Sequence, residues 1–459
     1  MLDPDLARQV LERALANGGD FAEIFFERSE TASASIDNRK IGSVADSTWI
    51  GAGIRVIIGE STGFAHTAHI SQAGLMRAAE TASQIARSSR RTPAVLDAAR
   101  LARDERSITG THKQRGIDLL QQIDELARSR AAAITQVSAS FSATKREVVI
   151  ANSLGRYVHD SRWRSRAVAV AVAKGDTGLQ TGYEVLARSV DFDTFLAEFD
   201  PAVLTGTAVD RAVTKLSSRP APAGVLPVVL AKGSGGILFH EACGHGLEAD
   251  HIVKNASVYA GKLGQQVASS LITLVDDGSI DREWGTFAVD DEGNPARRNT
   301  LIENGVLVDY MMDYRSARSF DHEPRGNGRR EDYRSLPMVR MTNTFLLPGD
   351  SDAAEIISST KRGVYVAALS GGQVNTTTGD FVFGTQEAYL IENGQITAPI
   401  RDTQLIGNGP AVLQEIDAVA SDFGMTPGTC GKDGQSVPVG TGQPTLRIRS
   451  ITLGGTSSA

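Results

Sequence analysis

Apolar residues at Leu6, Val10, Leu11 and Ala14 recur at helical spacing and predict a helix over 6–15, opened by Asp3-Pro4 and closed by Asn17-Gly18-Gly19. Residues 21–26, 31–36 and 51–58 read as strands, the last with glycines that permit close backbone approach. Longer helices are predicted over 71–88 and 115–133, and alternating stretches at 135–141, 147–152 and 165–174 predict further strands. Helices and strands interleave without a strict βαβ period, so residues 1–220 are expected to form a mixed α/β N-terminal domain rather than a doubly wound sheet.

Periodicity lapses at 217–224, where Pro220 and Pro222 oppose both helix and central strand, and the domain boundary is placed there. Beyond it the pattern turns to strands at 226–230, 270–275, 300–308, 338–345, 363–366, 381–392 and 445–453. Asn304-Gly305 and Asn393-Gly394, each flanked by apolar alternation, are strong hairpin signals. Residues 221–459 are therefore expected to form a mainly antiparallel β C-terminal domain, giving an α+β protein overall. Glycine supplies 46 of 459 residues and aromatics only 6%, which fits a chain rich in tight turns and bulges.

With 41% hydrophobic and 22% charged residues, the chain has the composition of a soluble globular protein that needs no staple to fold. Its formal charge of −7 argues against nucleic acid as a direct partner, because backbone binding draws on clustered positive charge. Two cysteines, Cys243 and Cys430, cannot make a disulfide framework. Together with an N-terminus that has neither a basic region nor a long apolar run, they point to the cytoplasm. Apolar runs such as 167–173 are far too short to cross a bilayer, so no membrane association is expected.

Of eight histidines, three fall within residues 240–251, in Phe239-His240-Glu241-Ala242-Cys243-Gly244-His245-Gly246-Leu247-Glu248-Ala249-Asp250-His251. A single histidine at a helix start is usually a satisfied polar residue, but two that bracket a glutamate point to a metal. The zincin pattern H-E-x-x-H places its histidines on one helical face. Here the spacing is one residue longer, which leaves the rings roughly 140° apart on a regular helix. A π-bulge would absorb the extra residue, and Gly244 and Gly246 ease such a distortion. A catalytic zinc takes three protein ligands and leaves a position for water. Spacing alone leaves the third ligand open among Glu248, Asp250, His251, Cys243 and the distant Cys430.

Weaker signals are Gly233-Ser234-Gly235-Gly236, which completes neither a dinucleotide nor a Walker pattern, and a basic run at 325–334, a pattern typical of solvated loops that can also orient a substrate carboxylate or a partner chain.

The chain resembles the TldD/PmbA family of metallopeptidases, also called the gyrase-modulator family. The resemblance rests on His240-Glu241-Ala242-Cys243-Gly244-His245-Gly246-Leu247-Glu248, Gly326-Asn327-Gly328-Arg329-Arg330, Arg340-Met341-Thr342-Asn343-Thr344, Gly371-Gly372-Gln373-Val374-Asn375, Glu387-Ala388-Tyr389 and residues 430–440, all in the C-terminal half. It implies a Zn²⁺ site made by His240, His245 and Cys430, with Glu241 as general base. It also implies a dimer that encloses the site in a cavity and takes unfolded or flexible peptides by main-chain bonding to a sheet edge. The dimer would be a homodimer or a heterodimer with a motif-lacking PmbA/TldE-type relative. Two other readings of the residues are a non-catalytic structural-zinc or regulatory subunit, in which Glu241 has no task, and a two-histidine, one-carboxylate iron site independent of Cys430.

Overall fold

The computed structural model describes residues 2–84, 97–100, 108, 110–233, 235–455 and 457–458. Two long strands, Phe21–Asp37 and Lys40–Ile58, form a hairpin whose turn uses positive φ at Asn38 and Arg39. The expected strands at 21–26 and 31–36 are parts of one 17-residue strand. Residues 40–50 escaped the sequence reading because that half of the hairpin is mostly exposed on both faces and shows no apolar alternation. A seven-stranded sheet continues through Ile134–Asn152, Arg156–Gly175 and Gly178–Arg188. The expected helices appear at Pro4–Ala14, Gln72–Gln84 and Gly110–Arg130; residues 85–88 of the second lie outside the described residues.

Strand period divides the labour of this sheet. Ile24, Phe26, Ala34 and Ile36 face the helices, packing against Leu11 and Leu75 at one end and Ile123 at the other. Glu23, Phe25 and Glu27 face the C-terminal half. There Phe25 packs on Val289, and the Glu27 carboxylate accepts the Tyr333 amide at 2.8 Å.

The basic run at 325–334 is thereby corrected, because its middle is not a solvated loop. Asn327, Arg329 and Arg330 are buried: Arg330 is paired with Glu23 and stacked 4.3 Å from the Phe25 ring centroid, and Arg329 donates to the Met341 and Pro438 carbonyls. Arg55 bridges Glu23 at 2.9 Å and Glu292 at 2.7 Å, and Arg162 bridges Asp160 and Asp291 at 2.7 and 2.6 Å.

Glu292 sits in this cluster with Asp313, Glu23 and Asp290 nearby. Burial, reinforced by those carboxylates and only partly offset by Arg55, pushes its carboxyl up to about 8. The folded state therefore holds a proton that the unfolded chain releases above its ordinary carboxylate pKa, and stability falls as pH rises from about 4.5 toward 8. Chemical denaturation across that range is expected to show a negative slope that Glu292→Gln flattens, whatever its effect on absolute stability; an unchanged slope would contradict the assignment.

In the C-terminal half, pairing runs from Arg362–Val374 through Pro222–Leu230, Leu446–Gly454, Gln404–Asn408 and Asp380–Glu392 and back to Arg362–Val374. These five strands form a closed ring around Val228, Leu230, Val364, Phe381, Phe383, Leu405 and Ile448. Pro220 and Pro222 sit in an edge strand and at a strand start, where a missing amide donor is tolerated. A second, six-stranded sheet carries Leu274–Asp277, Arg298–Glu303, Asn343–Leu346, Gln435–Gln443 and, at its edge, Gly424–Lys432. Both Asn-Gly hairpins are present, each with positive φ at its two turn residues. No described helix is long and apolar enough to cross a membrane.

Candidate metal centre

The helix that enters the site changes its winding twice in twelve residues. Gly236–Phe239 is α-helical, His240–Gly244 is a π-turn, and His245–Leu247 is a 3-10 turn. The His245 amide donates to the His240 carbonyl, a bond spanning five residues rather than four. The extra residue in the His-Glu-x-x-x-His spacing is absorbed in that turn, which brings the two imidazoles to 4.9 Å between centroids at 85°. Glycines permit the tight seating. A Cβ on Gly244 would lie 2.3 Å from Met341 Sδ, and one on Gly236 would lie 2.4 Å from the Gly442 amide. Gly235 and Gly236 thus serve helix-to-strand packing; Ser234, in the same glycine run, lies outside the described residues.

Cys430 reaches the same point from 185 residues away. It lies on Gly424–Lys432, which turns back through Asp433-Gly434, both at positive φ, into Gln435–Gln443. Arg340, fully buried, donates to the Cys430 carbonyl at 2.5 Å and to the Gln435 carbonyl at 3.2 Å, clamping the hairpin from behind. The Cys430 sulfur lies 3.1 Å from His240 Nε2 and 3.4 Å from His245 Nε2, and all three residues are buried. Tetrahedral coordination with bonds of about 2.0 Å to nitrogen and 2.3 Å to sulfur places such atoms roughly 3.5 Å apart, so the donor set fits one ion. Burial opposes a thiolate, but the two neighbouring rings outweigh it and bring Cys430 down to about 4.

The other sequence candidates take different places. Cys243 turns into the core and donates to the Phe239 carbonyl, its thiol pushed up to about 12 by burial. Glu248 stands behind His245, with Oε2 3.1 Å from Nδ1, and so leaves Nε2 free to face the sulfur. Asp250 and His251 cluster beside Glu248, but the Lys432 ammonium occupies that cluster, donating to Glu248 at 2.9 Å, Asp250 at 2.8 Å and the Val339 carbonyl at 3.1 Å. Burial alone would keep Glu248 protonated; Lys432 and His245 outweigh it and hold the carboxyl well below the usual range. The roles of Lys432 and Arg340 were not foreseen. A lysine two residues after Cys430 on the same strand shares its face, which was the available clue.

Glu241 points into a cleft of about 930 Å³ that it lines together with His240, His245 and Cys430. Among the described residues its carboxylate has no hydrogen bond or ion pair, and burial raises its pKa against the opposing pull of the rings. Residues from 367–374 and 424–432 also line the cleft. Among the described residues, Gly424–Lys432 has a ladder partner on one side only, and Arg362–Val374 pairs with Pro222–Leu230 only through 364–366. Two unpaired strand edges thus border the cleft.

Comparison with known proteins adds the following. Residues 22–86, 107–216 and 223–455 match the PmbA/TldA metallopeptidase domain 1, central domain and C-terminal domain. A metalloprotease TldD homolog of Haemophilus influenzae is 40% identical over 460 residues, covering 95% of this chain and 93% of its own. A zinc metalloprotease TldD homolog of Saccharolobus solfataricus is 31% identical over 299 residues, 65% of this chain and 66% of its own. Among solved structures, TldE of Thermococcus kodakarensis has a TM-score of 0.76 at 21% identity, covering 98% of this chain and 99% of its own. A Thermotoga maritima protein described as a candidate modulator of a DNA gyrase has a TM-score of 0.79 at 21% identity with the same coverage.

Proposed function

This chain belongs to the PmbA/TldD metallopeptidase family, and from that premise we propose that it is a zinc-dependent peptidase acting on unfolded or flexible chains. His240, His245 and Cys430 would hold the ion. A zinc ion so held supplies Lewis acidity, which polarises a peptide carbonyl and acidifies water toward neutrality. Glu241 takes the proton of the attacking water and returns it to the departing amine. The observation that carries this reading is the unpartnered Glu241 carboxylate beside a preformed His/His/Cys cluster. A purely structural metal needs no such acid. An iron site of two histidines and a carboxylate would not depend on Cys430, whose sulfur instead lies 3.1 Å from His240 Nε2 and 3.4 Å from His245 Nε2.

The unpaired edges at 367–374 and 424–432 suit an extended peptide, whose main chain would continue a sheet and leave specificity to side-chain pockets. We further propose the cytoplasm as its location, a division of the chain at 220/221, and a dimer, with itself or with a TldE-type relative, that closes the cleft. Incubation with one protein in folded and denatured forms tests the function. Only the denatured form should be cut, a chelator should stop the reaction, and added zinc should restore it. Equal cutting of both forms would contradict enclosure, and undiminished cutting in chelator would contradict the metal.

Lys432 fixes Glu248 against His245, and outer partners of this kind typically contribute 10- to 100-fold in metal affinity. Lys432→Met is therefore expected to weaken zinc retention by about that factor in a chelator competition. Unaltered retention would show that Glu248 orients His245 unaided.

A further inference from the structure

Behind the Gly424–Lys432 strand lies a second cleft, of about 380 Å³, between the N-terminal sheet and the hairpin that carries Cys430. Arg162, Arg164 and Arg166 alternate along Arg156–Gly175 and present a row of guanidiniums to it. Most of the charge there is already matched. Arg162 pairs with Asp160 and Asp291, Arg146 with Glu27, and Arg334 with Asp332. Arg164 is different: among the described residues it donates only to the Trp284 carbonyl at 3.3 Å and the Thr286 carbonyl at 3.2 Å. Neither Arg164 nor Arg166 has a carboxylate within ion-pair distance among the described residues. Glu331, the remaining acid on the wall, is exposed and pairs with neither.

A guanidinium half-withdrawn from water with no counter-charge is costly unless an anion joins it. Burial and the like charges of Arg329, Arg162 and Arg146 depress the Arg164 pKa, which is the electrostatic signature of that deficit. The place of this cleft supplies the rest of the argument. Thr429 lines both it and the metal cleft, and Thr429 and Cys430 point to opposite faces of one edge strand. A peptide added to that edge sends its own side chains alternately to the two faces.

We infer that the cleft of Arg164 and Arg166 is a specificity subsite that takes an acidic side chain, Asp or Glu, of the peptide bound along strand 424–432. The inference rests on the peptidase reading and selects among its substrates. Planar guanidiniums match carboxylates in paired hydrogen bonds, and Trp284, 5.9 Å from Arg164, closes one wall.

The test is equilibrium binding, followed by fluorescence anisotropy, of a labelled disordered peptide with glutamate at alternate positions and of its glutamine counterpart. The protein is the full chain carrying Glu241→Gln, so no turnover intrudes and the result does not depend on activity. The glutamate peptide is expected to bind at least about tenfold more tightly at low salt, a difference of roughly 1.4 kcal/mol. Arg164→Gln with Arg166→Gln should abolish that preference while leaving the glutamine peptide's affinity unchanged. Arg166→Glu, at an exposed position, should reverse or erase the preference even where Arg164 variants fail to fold. Equal binding of the two peptides, a preference that survives the arginine changes, or displacement of the acidic peptide by short duplex DNA through the same arginines would overturn the inference.

Discussion

Glutamine in place of Glu241 is expected to leave the metal bound and to lower the rate of peptide hydrolysis by about 10² to 10⁴, the usual contribution of one positioned proton-transfer group. The expectation follows from what surrounds the side chain. Glu241 lies inside the π-turn between the two histidines, yet its carboxylate bonds to none of the described residues and faces the cleft. Removing its charge leaves no buried partner unsatisfied, so the fold and the ligand cluster should survive. Steady-state rates at saturating peptide, together with metal content, separate the possibilities. Retained metal with a large loss of kcat fits a base, whereas retained metal with unchanged kcat would leave Glu241 without a chemical role.

Serine at Cys430 is the second large effect. The substitution keeps the size of the side chain and the Arg340 clamp on the backbone, but replaces a thiolate by a hydroxyl that does not ionise near neutrality. Metal retention should fall by more than the 10- to 100-fold typical of losing an outer partner. Thermal unfolding offers an independent readout. A zinc ion that prefers the folded state should raise the melting temperature of the native chain, and that increment should vanish in Cys430→Ser. An undiminished increment would mean that the ion is held elsewhere. The cluster of Glu248, Asp250 and His251 is a poor alternative, since Lys432 already fills it with positive charge.

The winding of the turn that carries His240 and His245 was readable from sequence because one geometric fact controls it. A step of five residues from His240 to His245 cannot bring both rings to one side of an α-helix, so a widened turn was required, and the His240–Gly244 π-turn is that turn. The third candidate donor was not readable in the same way. Cys430 arrives through a hairpin turned at Asp433-Gly434 and a parallel pairing of Asn343–Leu346 with Gln435–Gln443, contacts that no local pattern encodes. The basic run at 325–334 misled for a related reason: Glu23, the carboxylate that neutralises Arg330, lies 307 residues away, so the charge looked free. In the N-terminal sheet, alternation marked strands where one face was buried, as at 135–141, and failed at 40–50, where neither face is.

X-ray absorption at the zinc edge of the purified full chain tests the central claim most directly. The account predicts one zinc per chain, with two imidazole nitrogens at about 2.0 Å and a single sulfur at about 2.3 Å, the sulfur lost in Cys430→Ser. A spectrum of the native protein with no sulfur in the first shell, or with two, would contradict it.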